Sequence, residues 1–317
     1  MDGPPTPALT RITEWHEPLL GTVVEVQLLL DGEGREDEGR ELIASALAEM
    51  VRLQRVLSSV DSDSEFSRWT RDASSPVSEE LRSVLTETAQ WQRRSAGRFN
   101  PAVGELSNLW SEAQHAGTPP SRADAQRLAE TIASPRWAID DAGRLHQLSS
   151  CGGCTLNAFA KGWIVDRIVE RLSRAGVRSV TVNAGGDLRR AGPDPLDVGI
   201  EDPFRTYDNQ PPIAAISITD AAVATSGSAR KGFTVGETYF GHVIDPRTGW
   251  PVDAIRSISV VASDAATADV LATILGVEDA TAAIAEAEDL GLAVLVVDAD
   301  GEVHRSRAWR AIEIDVS

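Results

Sequence analysis

Thr225, Ser226, Gly227 and Ser228, followed by Arg230 and Lys231, place hydroxyls, a flexible backbone position and two cations within seven residues. Tyr239, His242, Asp245 and Arg247 follow shortly after, ending at Gly249. A histidine that titrates near neutrality beside hydroxyls and cations is the inventory of a site that holds a phosphate and moves a proton. The alternation of Val223 and Ala224 and of Tyr239, His242 and Ile244 predicts short strands, which we read as one β-hairpin. Asp245, Pro246, Arg247, Thr248 and Gly249 have the composition of a tight turn, with proline presetting φ and glycine closing. Each fragment alone also fits an ordinary structural turn; their co-occurrence carries the chemistry.

Four further segments offer chemistry. Asn183, Ala184, Gly185, Gly186 and Asp187 follow a predicted strand and read equally as a plain turn or a ligand loop. They lack the third glycine and following helix of a dinucleotide fingerprint. Asp269 and Thr273 are four apart in an apolar helix, so they share a face and can offer two oxygens to one hard cation such as Mg²⁺. The alternative is an Asp favoured by the helix dipole and a Thr bonded back to its own helix. Lys161 lies where a helix from Ala158 begins, either as an anion-binding charge or as an ordinary exposed lysine. Cys151 and Cys154, separated by two glycines, offer a redox or metal pair, but one pair cannot make a four-cysteine zinc site. A flexible loop with reduced thiols is the expectation.

The elements that must position these groups mix helices and strands without βαβ alternation, which predicts an α+β fold rather than a doubly wound sheet. Strands are predicted over 20–30, 179–182, 197–200, 213–218, 257–261 and 293–297, with hairpin-turn chemistry at 298–301. Helices are predicted over 41–57, 77–94, 121–132 (capped by Ser121), 158–172, 265–275 and 280–290. Residues 31–38 read as an exposed acidic turn, and 99–110 as a loop with buried aromatics. No linker divides the chain, so residues 1–317 are expected to form one domain; helix-then-strand units in both halves hint at a duplication.

At 317 residues with 42% apolar content, the chain can bury a sizeable core. Thirty basic against 48 acidic residues give a net charge of −18, without the electrostatic footprint of a nucleic-acid or anionic-lipid binder. An anionic ligand must therefore be held locally. Residues 1–17 contain neither an apolar run nor a basic leader, no stretch approaches a membrane span, and the two cysteines build no disulfide framework. A cytoplasmic location is expected.

In this order, the motifs resemble the FAD:protein FMN transferase (ApbE) family over nearly the whole chain. The resemblance runs through Leu20–Thr22, Asp63–Arg68, Phe99–Pro101, Leu106 with Leu109 and Trp110, and Ala160–Gly162 with Asp166. It continues through Asn183 with Gly185–Asp187, Val198–Ile200 with Asp202 and Pro203, Thr225–Gly227, His242 with Asp245–Gly249, and Ala268 with Asp269 and Thr273. The resemblance implies two interlocked α/β halves with FAD between them and Mg²⁺ at its pyrophosphate. It places the metal on the side chains of Asp269 and Thr273 and the backbone carbonyl of Ala158. It places flavin contacts at Leu20, Val60, Arg98, Phe99, Asn100, Thr155, Lys161 and Val243, and we add Asp187, Thr225, Ser226, Gly227 and His242. His242 is the implied catalytic group, and we read Arg247 or Lys161 as the stabiliser of charge developing on the phosphate. The sequence departs from the family's pattern at Leu20, often Met; at Val60, often aromatic; and at Asn100 and Thr155, where the family carries Asp.

These readings predict an Mg²⁺-dependent enzyme that passes the FMN moiety of FAD to a Ser or Thr hydroxyl of an acceptor flavoprotein and releases AMP. The competing expectations are an FAD diphosphatase and a non-catalytic flavin-binding protein.

Overall fold

Leu9–Leu19 (β1) and Thr22–Asp31 (β2) pair antiparallel across a two-residue turn in the computed structural model, which describes residues 8–205, 210–227 and 232–316. Leu20 and Gly21 form that turn with φ of 55° and 72°, the left-handed geometry a tight hairpin requires. Helices Glu36–Leu57 (α1), Glu65–Arg71 (α2) and Glu79–Arg94 (α3) follow. After them come a 3₁₀ turn at Pro101–Val103 and helices Gly104–Ala116 (α4) and Arg122–Ile132 (α5). A small ribbon, Trp137–Ile139 (β3) with Leu145–Gln147 (β4), leads to helix Ala160–Arg174 (α6).

The second half opens with Ser179–Ala184 (β5), Asp187–Ala191 (β6), Leu196–Ile200 (β7), Ala214–Ile218 (β8) and Ala221–Gly227 (β9). Two short ribbons come next: Gly232–Val235 (β10) with Thr238–Gly241 (β11), and Ile244–Asp245 (β12) with Trp250–Pro251 (β13). Ile255–Ala262 (β14), Ala265–Leu275 (α7), Ala280–Leu290 (α8) and Ala293–Asp298 (β15) follow. The chain closes with Val303–Arg305 (β16), Arg307–Arg310 (α9) and Glu313–Ile314 (β17).

The main sheet has the order β1-β2-β5-β6-β9-β14-β15-β16, and every neighbouring pair is antiparallel. It reads as two four-strand runs joined at β6 and β9, each with helices inserted between its second and third strands. β2 alternates, burying Val24, Val26 and Leu28 against α1 and α6 while leaving Val23, Glu25 and Gln27 on the open face. β15 instead buries Val294, Leu295, Val296 and Val297 in succession. That half of the sheet is covered on one face by α7 and α8 and on the other by β8 and Trp309.

The α+β expectation holds, and α7 and α8 have the bounds predicted for them. Ser121 accepts the Asp124 N–H as the expected cap of α5. Four expectations need correction. The stretch 99–110 is not a loop: Asn100 caps a 3₁₀ turn begun by Pro101, and Leu106, Trp110 and Ala113 form the buried seam of α4. The hydroxyl-rich segment and the His242 segment are not one hairpin. β9 lies in the main sheet between β6 and β14, because both faces of Ala222–Ala224 are buried there, and β10–β11 is a ribbon of its own. The opening strand is preceded by β1, and Leu20 lies in the turn between the two rather than within a strand. α1 also starts earlier than expected, at Glu36, with Glu36, Asp37 and Glu38 in its first turn.

Candidate active site

The β5–β6 turn uses Gly185 and Gly186 at φ of 61° and 99°; a Cβ on Gly185 would lie 2.3 Å from Thr22 Oγ1. This tight turn starts β6 at Asp187, whose side chain is buried. Lys161, in the first turn of α6, extends to it: its Nζ lies 2.5 Å from Asp187 Oδ2 and donates to the Ala184 carbonyl at 3.0 Å. The rival reading of Lys161 as an ordinary exposed lysine is therefore set aside.

α6 meets the N-terminus of α7 at Gly162, where a Cβ would stand 2.5 Å from the Ala265 carbonyl oxygen. One turn on, buried Asp166 accepts the N–H groups of Ala265 and Ala266 at 2.8 and 2.9 Å and is paired with Arg189 at 2.9 Å. With Asp264 as the N-cap of α7, these contacts fix the crossing and bring Asp269 to the Lys161–Asp187 pair. Asp269 is not a helix-terminal residue, so the helix dipole does not explain it.

Asp269 Oδ2 is sealed from solvent and makes no hydrogen bond. Burial above all, then the charge of Asp187, holds the Asp269 carboxyl well above the usual carboxylate range; Lys161 partly opposes this. Burial likewise raises Asp187, again opposed by Lys161. Two confined carboxylates sharing the influence of one ammonium have capacity for further positive charge. Among the described residues no three His, Cys, Asp or Glu side chains gather to hold a metal ion. A cation here would draw on carboxylate, hydroxyl and carbonyl oxygens, the donor set of a hard ion. Thr273 stands one turn beyond Asp269 on α7, half-buried, and Ala158 lies two residues before α6, next to its N-cap Phe159.

His242 is exposed and joins β11 to β12. Its segment is anchored from beneath by Trp110, whose ring lies 4.8 Å from Phe240 and 4.7 Å from Trp250, centroid to centroid, and whose Nε1–H donates to the Gly249 carbonyl at 2.9 Å. The predicted turn is present: the Gly249 N–H donates to the Asp245 carbonyl at 2.9 Å. Val243 accepts from the Val252 N–H at 2.8 Å through its carbonyl.

Arg247 is held by Asp245, with Nε 2.9 Å from Oδ1, and by Glu278, with Nη1 2.8 Å from Oε1. Glu278 also lies 3.6 Å from Arg98, which is bound on both guanidinium arms by Glu286 at 2.5 and 2.8 Å. Both cations are thus balanced by carboxylates.

Phe99 is core, and Asn100 spends its side chain on the fold: Nδ2 donates to Ile132 O at 2.9 Å and Oδ1 accepts from Ala102 N–H at 2.9 Å. The Thr155 N–H donates to Pro101 O at 2.7 Å, which places Thr155 beside Asn100. Leu20 is half-buried with its N–H on Gln54 Oε1 at 2.7 Å, whereas Val60 is 89% exposed. On β9, Thr225 Oγ1 shares a hydrogen bond with Ser259 Oγ at 2.8 Å, and Ser226 and Gly227 are half-buried. Ser228, Arg230 and Lys231 lie outside the described residues. Sequence reasoning gave no role to Asp166, Gly162, Trp110 or Glu278. The only local signal was the Gly162–Asp166 spacing of four, which puts both on the same face of α6.

The ApbE family pattern matches residues 20–296. The chain belongs to the ApbE family. Among its relatives is an FAD:protein FMN transferase of Treponema pallidum, 30% identical over 308 residues, covering 87% of this chain and 83% of that protein. Another, from Klebsiella pneumoniae, carries the same name and is 29% identical over 288 residues, 88% of each chain. The ApbE protein of Thermotoga maritima superposes with a TM-score of 0.80 at 25% identity, covering 97% of this chain and 100% of that one. Within the ApbE family match lie the β5–β6 turn, α6 and α7, the three elements that assemble the carboxylate site.

Proposed function

We propose that this chain is a single-domain FAD:protein FMN transferase that uses Mg²⁺ held at Asp269 and Thr273, with the Ala158 carbonyl. The observation that carries the cation assignment is the sealed, unpartnered Asp269 Oδ2 beside the Lys161–Asp187 pair. Such a carboxylate is costly unless a ligand completes it. Held there, Mg²⁺ would supply neutralisation of the pyrophosphate charge and polarisation of a phosphoryl oxygen.

The remaining chemistry belongs to the chain. Lys161, fixed by Asp187 and the Ala184 carbonyl, orients the anionic substrate against α6. His242 takes the proton from the acceptor Oγ as that oxygen bonds to the phosphorus of the FMN moiety. The phosphoanhydride bond breaks, and AMP leaves with the bridging oxygen. Leu20, Val60, Arg98, Phe99, Asn100, Thr155, Asp187, Val243 and the Thr225–Gly227 end of β9 border the flavin; at Phe99 and Asn100 the contact falls on the backbone, since both side chains are engaged in the fold.

The exposure of His242 favours one competing reading, an FAD diphosphatase, because water reaches the base as readily as a hydroxyl does. Mass spectrometry of candidate flavoproteins incubated with the protein, FAD and Mg²⁺ decides. The transferase leaves an acceptor heavier by one FMN on a Ser or Thr. Rapid free FMN and AMP with no modified acceptor establishes the diphosphatase instead, and tight FAD binding with neither product establishes a flavin carrier.

A further inference from the structure

Cys151 and Cys154 take no part in this chemistry, yet the fold brings them together. Both are free thiols and both are buried, at 1% and 8% exposure. The Cys154 N–H donates to the Cys151 carbonyl at 3.0 Å, closing a four-residue turn whose end Cα atoms lie within about 7 Å. A disulfide needs a Cα separation of roughly 4.4–6.8 Å. Gly152 and Gly153 carry no side chain to obstruct closure, and Gly153 takes the left-handed φ of 77° that the turn needs. Cys151 Sγ points to the Ser149 carbonyl at 3.7 Å and the Arg136 carbonyl at 3.9 Å; interaction with the neighbouring Cys154 thiol, and then the Arg136 charge, lowers the Cys151 thiol, while the Cys151 thiol and burial raise Cys154. One sulfur is thus disposed to attack and the other to hold its proton.

The turn is wedged against two parts of the proposed flavin site. Its Gly153 carbonyl abuts the start of α4, where a Cβ on Gly104 would lie 2.2 Å from that oxygen. Immediately beyond Cys154, the Thr155 N–H bonds Pro101 O at 2.7 Å and the Leu156 N–H bonds Ser59 Oγ at 3.0 Å. The same segment reaches Ala158 and Lys161 within a few residues, and the Ala160 N–H is held on Leu156 O at 2.8 Å.

We propose that Cys151 and Cys154 form a reversible intramolecular disulfide, and that the oxidised protein binds FAD more weakly because closure pulls Thr155 from its Pro101 anchor. With hydrogen peroxide as oxidant, the Cys151 thiolate attacks one peroxide oxygen; the O–O bond breaks, and the departing hydroxide takes a proton to become water. The Cys154 sulfur then attacks the resulting Cys151 sulfenic acid. The S–S bond forms, the S–O bond breaks and a second water leaves. Two thiols lose two electrons and two protons, and peroxide is reduced to two waters.

The full chain treated with hydrogen peroxide should lose two hydrogens by intact mass. It should resist alkylation at both cysteines after denaturation, and recover both thiols with dithiothreitol. C151S and C154S should not lose the hydrogens. FAD fluorescence titration should show at least about threefold weaker binding for the oxidised wild type, with peroxide-treated C154S unchanged. Absence of the intramolecular disulfide overturns the proposal. So does a disulfide that leaves FAD affinity untouched, since the turn would then be uncoupled from the site. The second readout rests on the flavin reading, but the mass change does not involve FAD, so failure of that reading remains distinguishable from failure of the redox site.

Discussion

At the scale of single residues, Asp269 sets function against stability. Its oxygen is sealed and unpartnered, and its carboxyl is held well above the usual range by burial and by Asp187. An acid whose folded pKa is raised contributes stability fully present below its unfolded value of about 3.9 and lost as pH rises through the folded value. Without divalent cation, the melting temperature should therefore climb as pH falls from 8 to 5, and climb less in Asp269→Asn. The same variant should melt roughly 2–5 °C higher than wild type at pH 8, since its amide buries no charge and each pKa unit by which burial raises a carboxyl corresponds to about 1.4 kcal/mol. It should also lose the stabilisation that Mg²⁺ gives the wild type, together with FMN transfer. Equal Mg²⁺ stabilisation in both proteins would remove Asp269 from the cation site. His242 makes a different demand. Exposed and outside the core, it should when changed to Gln reduce turnover by about 10²–10⁴-fold while leaving FAD affinity within a small factor. A matching loss of affinity would make it a binding residue instead.

At the scale of elements, the site is a crossing of two helices beneath a hairpin. Gly162 permits the crossing, so Gly162→Ala should force the α6 backbone away from the Ala265 carbonyl. A loss of roughly 1–3 kcal/mol is expected from such overpacking. Mg²⁺-dependent activity should fall further than stability explains, because Lys161 and Asp269 separate together; denaturant melts alongside transfer rates test this, and an unchanged rate in a folded variant would refute it. The same crossing shows what was legible in the sequence. α5 was readable because Ser121 caps it with a side-chain acceptor, a purely local signal; Asp264 and Asp279 cap α7 and α8 in the same way. The shared face of Asp269 and Thr273 was readable for the same reason. α4 was not, because Asn100, Pro101 and Gly104 resemble breakers until Asn100 is seen capping the turn. Nor could periodicity pair Lys161 with Asp187, since that contact exists only once β5 and β6 fold over α6. β9 was assigned to the wrong partner because its alternation fits a hairpin as well as a sheet interior, and only tertiary neighbours distinguish them.

At the scale of the whole molecule, the fully antiparallel sheet carries a site whose local and global charges disagree. The chain has a net charge of −18, yet its proposed substrate carries an anionic pyrophosphate. Arg98 and Arg247 are each bound by carboxylates, so they add little long-range attraction. Lys161 lies within hydrogen-bonding distance of Asp187, and a pair that close presents almost no net charge at a distance. Approaching FAD should therefore meet a repulsive far field and be captured only by short-range contacts. Repulsion between separated charges reaches about 30 Å at 0.01 M salt and about 8 Å at 0.15 M. The association rate of FAD should thus rise several-fold between those ionic strengths, while the dissociation rate, governed by close and partly buried contacts, changes little. Stopped-flow flavin fluorescence with Mg²⁺ held constant measures both rates. An association rate that falls with salt would mean that a local positive field outweighs the net charge, and substrate capture would then be electrostatically steered rather than merely tolerated.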